Sequence, residues 1–246
     1  MSDDGFSILP KVGERSLFVG RTGSGKTAGA IYFACNLDPA EYGPLIVYDT
    51  KIDPKFDGIP NSTVITDPRQ IPRLREHLPD LSTFIVRPEL DVSIDPSALD
   101  NLLLYHYHAL HFSIAFLDEL YTFHNGAKAG PGLTGLLTRG RSKGITTLQC
   151  TQRPAWISRF CLTESENFYL YRLTDSRDLK TLASVIPDVE NLPPPELHWF
   201  YYYSIRGNVS PQLFRPIPID KLSQVGYTDK ATDTSSIRRA NRLLWL

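Results

Sequence analysis

The sequence predicts an α/β fold in which a mostly parallel central sheet is flanked by helices. Three observations lead to this prediction. Short apolar runs suited to buried strands alternate with segments of helical character. A glycine-rich loop joins the first of these strands to the first helix. A later apolar run ends in two adjacent carboxylates, Asp118 and Glu119. In open parallel sheets, polar groups of this kind collect at the carboxyl ends of the strands, where ligands bind.

Composition limits the class of protein. The chain has 246 residues, of which 41% are hydrophobic and 22% are charged, as in an ordinary globular protein. Its formal net charge of -1 gives the whole molecule no strong attraction for polyanions, so a nucleic-acid partner needs a local charge asymmetry. No stretch approaches about 18 consecutive apolar residues, and the amino terminus lacks the basic start of a signal peptide. We therefore expect a soluble protein that is not secreted and has no transmembrane segment.

The first strand, predicted over residues 16–19, leads into a loop that fits the pattern G-x-x-x-x-G-K-[ST], and a helix follows to residue 36. Its glycines allow turns that a Cβ would forbid, so that successive N–H groups point at one anion, and the helix dipole adds positive potential. We expect this loop to bind a nucleoside triphosphate. Lys26 would reach the β- and γ-phosphates, and the Thr27 hydroxyl would hold Mg²⁺. The predicted nucleotide-binding residues are Gly20, Arg21, Thr22, Gly23, Ser24, Gly25, Lys26, Thr27 and Ala28.

A second strand, predicted over residues 45–48, is followed by Asp49 and Lys51. Because ligands gather at the carboxyl ends of strands, these side chains either support the phosphate site or belong to a solvated strand end, and the sequence leaves both interpretations open. Strands near residues 64–66 and 82–87 with a helix at 68–78 give a further αβ step.

A helix is predicted over residues 96–110, with Pro96 in its first turn. It carries His106 and His108, and His111 follows it. Residues i and i+2 point to different helix faces, and no cysteine or carboxylate completes a metal site. We therefore interpret these side chains as ordinary surface and partly buried histidines.

The apolar run at residues 112–117 predicts a buried parallel strand that ends at Asp118 and Glu119. Its tip would place Asp118 across from Thr27, where the carboxylate can bind Mg²⁺. Glu119 would then polarise the attacking water as a general base. Thr27 and Asp118 are thus the predicted metal ligands, and Glu119 is a predicted catalytic residue.

The next segment, residues 120–163, contains no Asp or Glu but six basic residues, which are Lys128, Arg139, Arg141, Lys143, Arg153 and Arg159. This asymmetry favours a role facing DNA or a neighbouring subunit. The alternative is that some of these cations neutralise the nucleotide or pair with acids elsewhere. Residues 127–135, rich in glycine, are expected to form a mobile loop that leads into a helix at 133–138.

A strand rich in β-branched residues is predicted from Ile145 and ends at Gln152. Gln152 would lie beside Asp118 and near the γ-phosphate, where it could align the water; a hydrogen bond to the backbone is the alternative.

Two later strands are predicted at residues 168–173 and 199–205, with a helix at 178–186 between them. We interpret the aromatic row in the last strand as part of the core rather than as a stacking surface for bases.

A Glu adjacent to the metal Asp, with an extra strand after it, indicates a RecA-like, additional-strand P-loop NTPase with a catalytic Glu. The residues resemble the FtsK–HerA superfamily of DNA pumps at four runs, which are residues 20–27, 116–119, 138–144 and 151–154. With no large extra domain, the chain looks most like the genome-packaging ATPases of tectivirus-like and turreted icosahedral viruses that have an internal membrane. The resemblance covers roughly residues 14–175.

This resemblance implies a homo-oligomeric ring that hydrolyses ATP with Mg²⁺ and moves double-stranded DNA, at the packaging vertex of a virion or in the host cytoplasm during assembly. Capsid vertex or membrane-associated packaging proteins would be partners. An arginine from the neighbouring subunit would act at the γ-phosphate. Arg139 and Arg141 are the candidates for this catalytic role, with Arg141 preferred; the alternative for either is a contact with the DNA backbone. A membrane-partnered secretion, assembly or conjugation-type ATPase is the alternative function.

We divide the chain into an N-terminal arm at residues 1–13, a P-loop ATPase domain at 14–219 and a polar C-terminal tail at 220–246. Residues 235–246 could form a short amphipathic helix. Such a helix could dock on a neighbouring subunit or on a membrane-associated partner. It could equally act as a latch within its own chain.

Overall fold

A nine-stranded sheet separates two hydrophobic cores in the computed structural model, which describes residues 8–126, 128–207 and 210–217 together with Lys221 and Tyr227. The strands are β1 (Arg15–Val19), β2 (Leu45–Tyr48), β3 (Ser62–Ile65), β4 (Thr83–Val86), β5 (Ser113–Leu117), β6 (His124–Asn125), β7 (Lys128–Ala129), β8 (Ile145–Thr151), β9 (Asn167–Leu170), β10 (Phe200–Ser204) and β11 (Gln212–Phe214). The α-helices are α1 (Lys26–Asn36), α2 (Pro39–Tyr42), α3 (Ile71–His77), α4 (Leu90–Ser93), α5 (Pro96–Ala109), α6 (Pro131–Arg139), α7 (Arg159–Thr163) and α8 (Ser176–Ala183).

The strand order in the sheet is β11-β10-β9-β1-β8-β5-β2-β4-β3, and β6 and β7 form a separate hairpin. The strands from β9 to β3 all run parallel, whereas β10 and β11 add an antiparallel edge. The additional strand predicted from the sequence is β8, which pairs with both β1 and β5. The parallel α/β fold with this extra strand is therefore confirmed.

Alternation along β1 explains why this strand is buried on both faces. Leu17 and Val19 point into one core, with α5 and α6, while Phe18 points into the other, with α1. There the ring of Phe18 stacks on Tyr169 at 4.3 Å between centroids and lies 5.7 Å from Phe33 of α1. A strand covered by helices on both sides needs a continuous apolar run, and this is what the sequence provides.

Most predicted elements agree with the structure to within a few residues. A 3-10 turn at Pro68–Gln70 precedes α3, and Asp67 caps it with a reciprocal bond to Gln70. The aromatic row of β10 is buried, which confirms the core interpretation. The strand β11 and the short helices α2, α4 and α7 were not predicted, because each is only three to five residues long.

The prediction of a mobile loop at residues 127–135 is wrong for the residues that are described. β7 and the first turns of α6 occupy this segment, and α6 begins at Pro131 rather than at residue 133. Its glycines serve close packing: a Cβ at Gly132 would overlap the backbone of Asp100 and Leu104 in α5. Glycine here permits two helices to approach each other closely. Composition alone does not distinguish glycines at such a contact from glycines in a loop.

Of the histidines near the end of α5, His106 is fully buried, whereas His108 and His111 are exposed. The amphipathic helix at 235–246, like residues 1–7 of the arm, lies outside the described residues. Among the helices that are described, none is long and apolar enough to span a bilayer.

Candidate functional site

The loop between β1 and α1 has the backbone of an anion cradle. Gly23 and Gly25 have φ angles of 76° and 97°, which L-residues rarely adopt. A Cβ on Gly20 would lie 2.6 Å from the Ser24 hydroxyl, so the loop closes tightly on itself. The first bond of α1 runs from the Gly29 N–H to the Gly25 carbonyl, so the amides of residues 26–28 have no acceptor within the helix. These amides are available to an anion at the helix N-terminus.

Asp118 meets Thr27 beside this loop, as the sequence predicts. The Thr27 hydroxyl donates to Oδ1 of Asp118 at 3.3 Å. Burial raises the pKa of Asp118 from 3.8 to about 6, and the ammonium groups of Lys51 and Lys26 oppose that rise. A buried carboxylate and a hydroxyl form an oxygen donor set that suits Mg²⁺, and a nearby cation stabilises the ionised carboxylate.

Gln152 connects the carboxylate of Glu119 to the phosphate loop. Its Nε2 donates to Oε2 of Glu119 at 3.1 Å, and its Oε1 accepts from the Thr22 hydroxyl at 2.6 Å. This placement follows from the sheet order, because β8 ends between the loop after β1 and the carboxylates after β5. The side chain of Gln152 therefore bonds to other side chains rather than to the backbone.

Lys51 is the second partner of Glu119. Its Nζ lies 2.5 Å from Oε2 of Glu119, and the Lys51 side chain is 42% exposed. Asp49, by contrast, is fully buried and binds Nε of Arg87 at 2.8 Å. Of the two interpretations of these residues, the structure favours the one in which they support the phosphate site rather than a solvated strand end.

Two residues at this edge were not identified from the sequence. Arg87 follows β4 and braces the loop that carries Lys51, but nothing in its local sequence indicates this contact. His198 has a φ of 67°, and its Nδ1 would lie 2.9 Å from a Cβ on Gly25, so its ring packs against the phosphate loop. The left-handed φ of a residue such as His198 depends on its surroundings and has no reliable sequence signal.

Comparison with known proteins identifies the family. The DNA packaging ATPase P9 of Enterobacteria phage PRD1 is 30% identical to this chain over 219 residues, which cover 85% of this chain and 90% of P9. The chain belongs to the family of DNA packaging ATPases. No protein-family model matches it.

Solved structures support the fold of this packaging ATPase family. The genome packaging NTPase B204 of Sulfolobus turreted icosahedral virus 2, in complex with AMPPCP, matches with a TM-score of 0.65 at 17% identity over 84% of this chain and 99% of B204. The DNA-packaging ATPase B204 of Sulfolobus turreted icosahedral virus matches with a TM-score of 0.62, also at 17% identity, over 85% of this chain and all of B204. The P-loop NTPase fold predicted from the sequence is confirmed.

The two candidate arginines of this packaging ATPase lie far from their own phosphate loop. Both precede β8, at the amino end of a strand whose carboxyl end carries Gln152, and seven residues of strand span roughly 20 Å. Arg141 is 54% exposed and its Nη1 lies 3.9 Å from Glu166, whereas Arg139 lies over the ring of Tyr107. Neither arginine can reach the nucleotide of its own subunit, so a catalytic role for either stays a prediction about a neighbour.

The remaining basic residues of the acid-free segment divide into two groups. Arg153 is paired with Asp175 at 2.7 Å and with Asp178 at 2.9 Å, as the alternative of pairing with distant acids predicts. Lys143 donates to the carbonyl of Tyr107. Lys128 in the β6–β7 hairpin and Arg159 are exposed. The surface available to a polyanion is therefore smaller than the six cations suggest.

Proposed function

We propose that this protein is an ATP-driven motor that moves double-stranded DNA into a viral capsid. The similarity to P9 over most of both chains carries the proposal. The side chains that meet at the phosphate loop support the proposal, because Glu119, which we assign as the base, and Thr27 and Asp118, which we assign as metal ligands, lie beside an anion cradle at the carboxyl edge of the sheet.

Hydrolysis needs a base for the attacking water. Glu119 would accept one proton from that water while the water oxygen bonds to the γ-phosphorus. The bond from the γ-phosphorus to the bridging β,γ-oxygen breaks, which leaves ADP and inorganic phosphate. Gln152 links this base to the phosphate loop and would orient the water. Lys26 would offset the charge on the β- and γ-phosphates.

A magnesium ion fits the pair formed by Thr27 and Asp118, since both offer oxygen atoms and Asp118 is a buried carboxylate. When bound, Mg²⁺ would neutralise phosphate charge. We assign these two residues as the ligands from the protein.

The motor would act as a ring of identical subunits, with ATP at each boundary and Arg141, or else Arg139, supplied by the neighbour. Their position at the edge opposite to their own phosphate loop supports this arrangement. Lys128 is exposed on the β6–β7 hairpin, which follows β5 in the chain, and is a candidate contact to the DNA backbone. Capsid vertex or membrane-associated packaging proteins would hold the ring at the packaging vertex.

The test is phosphate release from ATP, measured with and without duplex DNA. We expect duplex DNA to raise the rate, and we expect Lys26→Ala and Glu119→Gln each to reduce it to a small residual rate. An enzyme that hydrolyses ATP at the same rate whether or not DNA is present would refute the packaging motor and leave an ATPase.

A further inference from the structure

The carboxylate of Glu119 is held at one oxygen only. Lys51 Nζ, at 2.5 Å, and Gln152 Nε2, at 3.1 Å, both contact Oε2. Among the described residues, Oε1 has no hydrogen-bond partner. Two donors on one oxygen fix the plane of the carboxylate and leave the second oxygen as the one that can take a proton.

Residues 49–57 form the loop that carries Lys51, here the Lys51 loop. Hydrogen bonds made by Asp49 and Arg87 fix its conformation. Buried Asp49 accepts bonds from the Asp53 N–H at 3.0 Å and from Arg87 Nε at 2.8 Å. The same guanidinium pairs with Asp57 at 2.8 Å and donates to the carbonyl of Asp53 at 3.2 Å. Asp49 therefore shapes the loop, and Lys51 is the residue that the loop presents to Glu119.

Backbone strain within the Lys51 loop supports this interpretation. Ile52 has a φ of 57°, a left-handed conformation that is a clear outlier for a β-branched residue, and its side chain is exposed. Such a conformation persists only where the surroundings enforce it, and it concentrates at functional sites. Here the bond from the Asp53 N–H to Asp49 closes the turn over Ile52. The strained turn directs the preceding residue, Lys51, towards the catalytic carboxylate.

We propose that Lys51 is a positioning residue for ATP hydrolysis: with Gln152, it holds Oε2 of Glu119 so that Oε1 receives the proton of the attacking water. This inference rests on the proposed function, because it takes Glu119 as the base. The competing role for an ammonium at this edge is a direct contact with the triphosphate. The contact with Glu119 favours positioning, since Lys51 already has a carboxylate partner in the protein.

The test compares steady-state ATP hydrolysis by the wild-type chain, Lys51→Met and Lys51→Arg. In Lys51→Met we expect kcat to fall about tenfold to a hundredfold, while KM for ATP changes less than about threefold, because a misplaced catalytic group costs rate rather than binding. Lys51→Arg, which keeps a donor at this position, should recover most of kcat. The midpoint of thermal unfolding should stay within a few degrees of the wild type, since Lys51 is partly exposed.

Lys55→Met is the matched control, because Lys55 lies in the same loop, is half-exposed and has only a 3.9 Å pairing with Asp53. It should leave kcat unchanged. In a Glu119→Gln background, Lys51→Met should add less than about a twofold loss, because the two residues act as one unit.

Several outcomes would overturn the positioning role. A raised KM with kcat preserved would assign Lys51 to the triphosphate, and fully additive losses in the double variant would separate it from Glu119. An unchanged kcat in Lys51→Met, or an equal loss in Lys55→Met, would remove it from hydrolysis. A wild-type chain that hydrolyses ATP but ignores DNA would refute packaging and leave the Lys51 result intact, whereas a chain that releases no phosphate would refute both.

Discussion

The hydroxyl of Thr27 donates a hydrogen bond to Oδ1 of Asp118 at 3.3 Å, although the strands that precede these residues, β1 and β5, are separated in the sheet by β8. The contact places the oxygen atoms of the two proposed Mg²⁺ ligands next to each other, on α1 and at the tip of β5. We expect Thr27→Ala to raise the Mg²⁺ concentration for half-maximal ATP hydrolysis by about tenfold or more, because one ligand is lost.

Thr27→Ser is the matched control for this prediction, since it keeps the hydroxyl and removes only a methyl group. Magnesium titrations of the hydrolysis rate should therefore separate the two variants clearly. Equal magnesium requirements in Thr27→Ser and Thr27→Ala would show that the hydroxyl does not bind the ion.

A second prediction concerns Arg141, which lies at the amino edge of the sheet and cannot serve its own subunit. Lys26→Ala and Arg141→Ala should each lose about 10³-fold in rate, as expected for a phosphate-loop lysine and a trans-acting arginine. Mixing the two variants should restore part of the activity, because some boundaries then join an intact loop to an intact arginine.

The same mixing experiment with Arg139→Ala tests the second candidate. Arg177→Ala, which replaces an exposed arginine of helix α8, should be active without complementation. A mixture of Lys26→Ala and Arg141→Ala no more active than its components would contradict the trans role of Arg141.

The predicted site residues that the structure brings together share one property: their position depends on a single strand and the segment next to it. The phosphate loop follows β1, and Asp118 and Glu119 follow β5. The predicted position of Gln152 required one more assumption, namely that β8 lies between β1 and β5. The strand predicted after the Asp-Glu pair made that assumption reasonable.

The rest of the site depends on contacts between distant segments. Lys51 could be placed only at the end of a strand, and its bond to Glu119 follows from a strained turn at Ile52 that no local pattern predicts. Arg87 has no motif, because its role is to brace that turn. Gly132 was assigned to a loop since glycine in a loop and glycine at a close helix contact look the same in composition.

A third prediction follows from the contact between α5 and α6. Asp100, which is almost fully buried, accepts bonds from the N–H groups of Gly132 and Leu133 at 2.8 Å each, and so caps the start of α6. A Cβ on Gly132 would overlap the α5 backbone. We expect Gly132→Ala to lower the free energy of unfolding by about 1–3 kcal/mol or more, because the helices must move apart.

Denaturant unfolding checks this prediction, with Gly207→Ala as the control because a Cβ there meets no atom within 4 Å. Asp100→Ala should cost a similar amount, since two buried N–H groups lose their acceptor. Wild-type stability in Gly132→Ala would mean that the two helices are not in close contact.

A fourth prediction concerns the buried ring of His106. The Ser113 hydroxyl donates its hydrogen to the carbonyl of Leu110, so Ser113 must accept from Nε2 of His106 at 2.8 Å. Nδ1 then accepts from the hydroxyl of Tyr48 at 3.0 Å, which makes the ring a neutral tautomer protonated at Nε2. Burial lowers the pKa of His106 from 6.5 to about 3, because the charged form would lose its solvation.

The sign of the effect on stability follows from this pKa. Between pH 6.5 and 3 the unfolded chain binds a proton at His106 that the folded chain does not, so this contribution to stability is complete above pH 6.5 and is lost as pH falls. The slope is at most about 1.4 kcal/mol per pH unit. Replacing His106 with Phe should destabilise the protein at pH 7, because Tyr48 and Ser113 lose their partner, and should flatten the decline towards pH 4.

The measurement is chemical denaturation at several pH values of the wild type, His106→Phe and His108→Gln. Comparing the three proteins isolates the contribution of His106 to the pH dependence of stability. Other titrating groups contribute equally to all three proteins, so the difference in slope belongs to the replaced ring. His108→Gln removes an exposed histidine from the same helix and is the control for the substitution itself. A slope in His106→Phe equal to that of the wild type would show that the buried ring accepts a proton without unfolding. The hydrogen bonds to Tyr48 and Ser113 would then not be those of a neutral imidazole.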